Sequence, residues 1–280
     1  MEHTGPVSES PADGQLHQAE LLTPLPVEAA AYYEWLLELP RGAEPGIALR
    51  DRGASTGSPQ LPGVTGWVPV FAVDSVERAV ERVQDLGVTH HAVRDGDDER
   101  HYIAPRTGAV VELRPRSGVS SDEASIYWHA NCDYSALSVD DATEFWGRLL
   151  DLDYLVMRDD PFEMRFLHGD RRIATGIFKL HGVAGFASRP HWLIYFEVED
   201  VSTSLSRAVE SGSRVLIPTS ESPFNTYAVL TDPWGNLFGF STLADPRVLS
   251  RIEVLGADGA ASTMDQVVDP YPTPAVNPRL

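Results

Sequence analysis

The chain has 280 residues, 42% of them hydrophobic, with 41 acidic against 22 basic side chains and a formal charge of −19. That length is enough for about two cores. No run approaches the ~20 apolar residues of a membrane span, the acidic balance disfavours a nucleic-acid phosphate backbone, and the lone Cys132 excludes an internal disulfide or a cysteine zinc cluster.

Residues 1–14 are polar and contain Pro, Gly and Ser, so disorder is expected there. Leu16 to Thr23 reads as a strand, Pro24-Leu25-Pro26 as a helix entry, and Val27 to Leu39 as a helix with Ala31, Tyr32 and Trp35 inward. Ile47-Ala48-Leu49 suggests a short strand, and the Gly/Pro/Ser-rich stretch Arg52 to Gly66 a loop. Trp67 to Arg114 then alternates strand, helix and three strands. Val76, Val80 and Val83 share one helix face, with Glu77 in the first turn. The polar segment 117–125 is the expected linker between a first domain over 15–116 and a second over 126–243.

Tyr127 to Leu137 predicts a strand. Ser138 starts a helix with Asp141 three residues on and Val139, Ala142, Phe145, Trp146 and Leu149 on its inner face. Glu163 to Leu167 and Arg172 to Leu180 predict a hairpin around His168-Gly169-Asp170. Trp192 to Val198 is a bulky, β-prone run, Val201 to Val209 a helix stopped by Gly212, and Asp232-Pro233-Trp234-Gly235-Asn236 a tight turn between two strands. The Ala, Gly, Ser, Asp and Pro content beyond Thr242 predicts a flexible tail over 256–280.

The chain repeats itself. Adding 125 carries Trp67 onto Trp192, Phe71 onto Phe196, Val73 onto Val198, Val76 onto Val201 and Gly87 onto Gly212. Self-similarity at such a period indicates duplicated structure. The fold class is therefore α+β, with four βαβββ units in two tandem domains and the back half of the first unit abbreviated.

Tandem βαβββ units with a Trp192-to-Val201 type of strand–helix entry and a closing Asp232-Pro233-Trp234-Gly235-Asn236 hairpin resemble the vicinal oxygen chelate superfamily. That family includes glyoxalase I, extradiol dioxygenases and bleomycin-resistance proteins. The resemblance implies that each pair of units forms an open eight-stranded cup. In enzymatic members a divalent metal sits on the cup floor, held by a His on the first strand of each unit and a Glu on the last, because such ions need converging N and O donors. The family's spacing places Asn131, Leu193 and Gly239 at those positions in domain 2, and Gln18, Val68 and Glu112 in domain 1. Leu, Val and Gly offer no side-chain donor and amides are poor ligands, so neither a metal nor another cofactor is expected.

One alternative is a displaced metal triad of His129 and His191 with a carboxylate such as Asp133, all on the ligand-bearing strand face by alternation. The same residues, without a metal, are candidates for acid–base catalysis. The bland reading is two strand-end histidines. Cys132 falls on the opposite face as a core thiol, and His90-His91 in a solvated turn. In domain 1, Gln18, Glu20 and Glu112 face inward, Glu112 being a vestigial ligand or a satisfied acid.

The candidate ligand-binding set is His129, Asn131, Asp133, Leu193, Tyr195, Glu197, Tyr227 and Gly239, with Gly239 leaving room. Aromatic surface with sparse polar groups suits a small organic ligand. The expectation is a cytoplasmic, metal-free protein, monomer or homodimer, that binds a small molecule in the domain 2 cup for sequestration, resistance or secondary metabolism. The alternative is a lyase, isomerase or cyclase of the same fold, or less readily a metal-dependent lyase or dioxygenase. Nothing in the sequence argues for a purely structural partner protein.

Overall fold

A computed structural model of the chain describes residues 14–38, 47–51, 66–95, 98–106, 108–116, 130–159, 162–179, 189–242 and 245–269. The first sheet is built from β1 (Leu16–Thr23), β2 (Ile47–Asp51), β3 (Gly66–Val73), β4 (Val88–Asp95), β5 (Asp98–Pro105) and β6 (Val111–Pro115), in the order β2-β1-β3-β6-β5-β4. Two helices accompany it, α1 (Pro26–Leu36) and α2 (Val76–Val83). The Ser75 hydroxyl caps α2 by accepting from the Arg78 amide, and Gly87, at φ 78°, turns the chain out of the following 3-10 turn into β4.

The first unit is short in a different place from the one expected. β2 runs parallel beside β1 as β6 runs parallel beside β3. It therefore occupies the closing-strand position, and the middle pair of strands has no counterpart among the described residues. Helix α1 is also rotated from its expected phase: Ala29, Tyr32, Tyr33 and Leu36 are buried, while Trp35 is 48% exposed. Sheet faces on both sides of this helix leave it no single apolar stripe. His90 and His91, expected in a turn, lie within β4, where His90 faces His101 across the β4–β5 pair at 3.2 Å.

The second sheet contains β7 (Ala130–Ala136), β8 (Asp153–Asp159), β9 (Phe162–Gly169), β10 (Arg172–Lys179), β11 (His191–Glu197), β12 (Arg214–Glu221), β13 (Thr226–Thr231) and β14 (Leu237–Ser241). Helices α3 (Val139–Leu150) and α4 (Val201–Glu210) start at Ser138 and Asp200, whose side chains accept from the Asp141 and Thr203 amides. The strand order β12-β13-β14-β11-β7-β10-β9-β8 consists of two four-stranded halves joined by the antiparallel β11–β7 pair. Strand β8 escaped the sequence reading because acids at both ends of DYLVMRD disguise a short apolar centre.

Within the expected flexible tail over 256–280, residues 256–269 are structured, as part of a segment that follows Thr242. α5 (Pro246–Leu249), β15 (Glu253–Gly256), β16 (Ala261–Thr263) and α6 (Met264–Val267) form a compact appendage, with β15 extending the sheet beyond β8. Its sparse apolar residues, Leu249, Ile252, Val254, Met264 and Val268, pack on Leu155, Met157 and Phe166 of β8 and β9. Arg171 in the β9–β10 turn fixes the far end through Asp269, at 2.8 and 2.9 Å. Composition concealed this because few side chains carry the burial. Residues 270–280 lie outside the described residues.

The helix-bearing faces of both sheets share one core. Trp67 packs on Phe196 with ring centroids 5.2 Å apart, and Phe71 on Trp192 at 5.8 Å. These are the repeated positions meeting crosswise, as a local two-fold requires: residue i of one copy meets j of the other, and j meets i. Arg82 of α2 strengthens the junction by donating to the Arg148 and Leu149 carbonyls of α3 at 2.7 and 3.0 Å. Tyr33 of α1 donates to Asp232 at 3.1 Å, and that buried carboxylate also accepts from the Trp234 and Asn236 amides. The Asp-Pro-Trp-Gly-Asn turn is thus both a hairpin closure and a docking point for α1.

Candidate functional site

Each sheet has a second face, turned away from the helices. In the second sheet, alternation sends Cys132, Tyr134, Trp192, Ile194, Phe196, Phe238 and Phe240 into the shared core. Asn131, Asp133, Ser135, His191, Leu193, Tyr195, Glu197, Gly239 and Tyr227 therefore lie on the opposite, cup face. The register sets them in rows: Asp133 opposite Leu193, Asn131 opposite Tyr195, and Tyr195 beside Gly239 and then Val229. Glu197 lies beside Ser241, which faces Tyr227. Leu193, Tyr195 and Val229 form an apolar cluster joined by Leu216, Ile217, Tyr227 and Leu237. Phe224, before β13, reaches across to stack edge-on against Phe166 at 5.3 Å, drawing the two halves of the cup together.

Two glycines let large side chains lie flat on this face. A β-carbon at Gly176 would collide with the Asp133 carboxylate, and one at Gly239 with the Tyr195 ring. The room expected over Gly239 is thus taken by Tyr195. Tyr195 is 8% exposed, makes no hydrogen bond among the described residues, and meets Tyr227 edge-on at 6.4 Å. Ser135 is buried with its hydroxyl likewise unpaired.

Burial pushes the Asp133 carboxyl up to about 6, opposed only by a hydrogen bond from the Gly176 amide. Burial alone pushes Glu197 up to about 7. Tyr195 is held well above the usual phenol range by burial and, in addition, by the nearby Asp133 charge. His191 is lowered by burial, against a hydrogen bond to the Arg189 carbonyl at 2.9 Å.

The corresponding face of the first sheet is closed by charge. Arg100 donates to both oxygens of Glu20 at 2.7 and 2.9 Å and to Glu112 at 3.2 Å. Arg114 donates to Glu112 and to Glu20, each at 2.7 Å. Both carboxylates are fully buried and Arg100 is 4% exposed. Burial and the neighbouring Glu20 raise Glu112 to about 7, against the pull of the two guanidinium groups. Glu112 is therefore a satisfied acid, not an available ligand.

The duplication allows the two faces to be compared position by position. Glu20 opposes Val68 as Asp133 opposes Leu193, and Glu112 lies beside Val70 as Gly239 lies beside Tyr195. By the same pairing Arg100 corresponds to Tyr227, Arg114 to Ser241, and Ala72 to Glu197. Two acids with two arginines in domain 1 become, at the corresponding described positions of domain 2, two acids with Tyr227 and Ser241 in place of the cations. The sequence reading named all the acids but missed the arginines. Their signal was the Glu112–Arg114 alternation on one strand face.

The donors do not fit the metal site that the fold implies. Leu193, Val68 and Gly239 have nothing to ligate with, Asn131 is exposed, and Glu112 is bound by guanidinium. Among the described residues no three His, Cys, Asp or Glu side chains are grouped to hold an ion. His191 opposes Ser135, while Ala130 opposes Phe196, five residues along β11 and thus about 17 Å away. His129 itself lies outside the described residues. Cys132 is the buried core thiol expected, its ionisation suppressed by burial.

Comparison with known proteins bears on this geometry. The family model described as the Glyoxalase/Bleomycin resistance protein/Dioxygenase superfamily matches residues 91–240. A protein of Mycobacterium tuberculosis named "Putative glyoxylase CFP32" is 29% identical over 210 residues, covering 69% of this chain and 73% of the relative. The fold is similar to that of 2,2',3-trihydroxybiphenyl 1,2-dioxygenase from Sphingomonas wittichii, with TM-score 0.55, 12% identity and coverage of 84% and 92% of the two chains. It is also similar to a Mn(II)-bound glyoxalase from Novosphingobium aromaticivorans, with TM-score 0.51, 13% identity and coverage of 96% and 97%. At such identities the likeness is one of fold and two-domain arrangement.

Proposed function

The chain belongs to the glyoxalase/bleomycin resistance protein/dioxygenase superfamily, and from that premise we propose that it binds a small organic molecule, without a metal, in the cup of domain 2. The observation that carries the reading is the contrast between the two cups. In domain 1 every central polar group is consumed by the Glu20–Arg100–Glu112–Arg114 lattice. In domain 2 the Ser135 hydroxyl is buried without a partner, and Tyr195 makes no hydrogen bond among the described residues beside the Leu193–Val229 apolar cluster. Buried polar groups left unpaired cost about 1–3 kcal/mol each, a cost that a bound molecule relieves. Convergent polar groups on an apolar floor are the general form of a ligand site. Domain 1 then serves as a structural half, and the role is one of capture, as in sequestration or resistance.

The test is non-denaturing mass spectrometry of the full chain purified from its source, comparing wild type with Tyr227→Ala. A 1:1 organic adduct that is released on denaturation and lost from the folded variant supports the reading. A wild-type chain with no adduct, or an adduct indifferent to Tyr227, overturns it.

A second reading is favoured by one observation: Asp133 and Glu197 titrate near neutrality, at about 6 and about 7, where a carboxylate is a competent proton acceptor. An isomerase or lyase of this fold would use these acids in preference to the histidine pair. Deuterium incorporated into the released ligand on incubation in heavy water, and lost in Asp133→Asn, distinguishes turnover from capture.

A further inference from the structure

Resting on that reading, we infer that the domain 2 cup selects an organic cation: an amine, amidine or guanidine carried on a flat apolar body. The protein contains its own precedent for the contact. In domain 1, the Arg100 guanidinium sits on the Glu20 carboxylate at 2.7 and 2.9 Å. The strand register makes Asp133 the counterpart of Glu20 and Tyr227 the counterpart of Arg100. Domain 2 thus keeps the acid and withdraws the cation. It also adds a second acid, Glu197, where domain 1 has Ala72.

Asp133 is met only by the Gly176 amide, and neither a cation nor a hydrogen bond reaches Glu197 among the described residues. A part-buried carboxylate held beside an apolar floor without a countercharge is costly, so the missing charge is supplied by what binds. The Ser135 hydroxyl, on the same strand face as Asp133 in a residue only 1% exposed, is buried without a partner and is an independent sign that the floor is completed by a ligand. The faces of Tyr195 and Tyr227 add cation–π attraction, and the apolar cluster beside them receives the body of the molecule. Neutral ligands leave both acids uncompensated, and anions are repelled. The overall charge of −19 raises the local concentration of cations without selecting among them.

Benzamidinium, benzamide and benzoate share a shape and differ in charge, so they isolate this claim. Ligand-observed NMR titrations of the full chain at pH 8 and about 0.15 M salt, where surface charge is screened beyond about 8 Å, give their relative affinities. Benzamidinium is expected to bind about tenfold or more tighter than benzamide, the scale of a charged hydrogen bond, with benzoate weakest. The near-isosteric Asp133→Asn and Glu197→Gln, checked for folding by thermal melts, should each remove most of the advantage of benzamidinium over benzamide. Equal binding of benzamidinium and benzamide, with both lost in Tyr227→Ala, overturns the charge selection but leaves the cup reading standing. Benzamidinium binding that ignores Asp133, Glu197 and Tyr227 overturns both. Failure of benzamidinium to bind at all overturns the charge selection.

Discussion

Replacing Arg100 by Met removes one of the two guanidinium groups that hold the domain 1 cup together while keeping an unbranched apolar stem. Arg100 contacts Glu20 at 2.7 Å and Glu112 at 3.2 Å, and both acids are fully buried. Arg114 alone would then face two carboxylates from which water is excluded. Removing one partner of a buried ion pair typically costs about 3–5 kcal/mol. For a protein of this size that is a drop in Tm on the order of 10 °C. The loss should also carry a pH signature. In the variant Glu112, already raised to about 7 by burial and the neighbouring Glu20, loses one of its two opposing guanidinium groups, so its folded pKa rises further above its unfolded one. A raised acid gives stability that is fully present below its unfolded value and disappears as pH climbs through its folded value. The deficit against wild type should therefore be largest at pH 8 and shrink markedly by pH 5. Urea denaturation followed by circular dichroism at both pH values measures it, and Arg100→Met/Glu112→Gln should recover part of the loss. A deficit under about 1 kcal/mol at pH 8, or one independent of pH, would refute the view that this face is held by charge.

Three further outcomes follow from the same structure. In the ligand-free protein Asp133→Asn should stabilise domain 2 at pH 8 by about 1–3 kcal/mol, the residue's partial exposure placing the gain below the full value; the folded pKa of about 6 lies above the ordinary value of 3.8, so the advantage should vanish near pH 4. Asp232→Ala strips the turn of its bonds to the Trp234 and Asn236 amides and leaves the Tyr33 hydroxyl without its acceptor, with an expected loss of about 2–4 kcal/mol in chemical denaturation. Met264→Ala opens a hole where the C-terminal appendage packs on Phe166; a loss of about 2–4 kcal/mol, with faster amide exchange in β15 and β16, is the expected result, and unchanged exchange there would contradict the packing role.

Much of this was legible in the sequence because it is local. Ser138 marks a helix start, and it does cap its helix. The Trp67/Trp192 and Phe71/Phe196 repeat marked equivalent strands, which meet at the pseudo-two-fold. Strand alternation placed Asp133, Leu193, Tyr195 and Glu197 on one face. What escaped depends on partners distant in the chain. Arg100 finds Glu20 across 80 residues, and no local pattern declares that pairing. Tyr33 is buried because a second sheet covers α1, which one helix's periodicity cannot reveal. The appendage after Thr242 relies on a few apolar residues in a polar segment, below what composition detects.

The most direct test is a crystal structure of the full chain purified with whatever its source supplies. The account predicts additional density for an organic molecule between Asp133, Tyr195 and Tyr227, and the arginine lattice intact in domain 1. A metal ion coordinated by side chains in either cup, or a ligand seated on Glu20 and Glu112 with the arginines displaced, would contradict it.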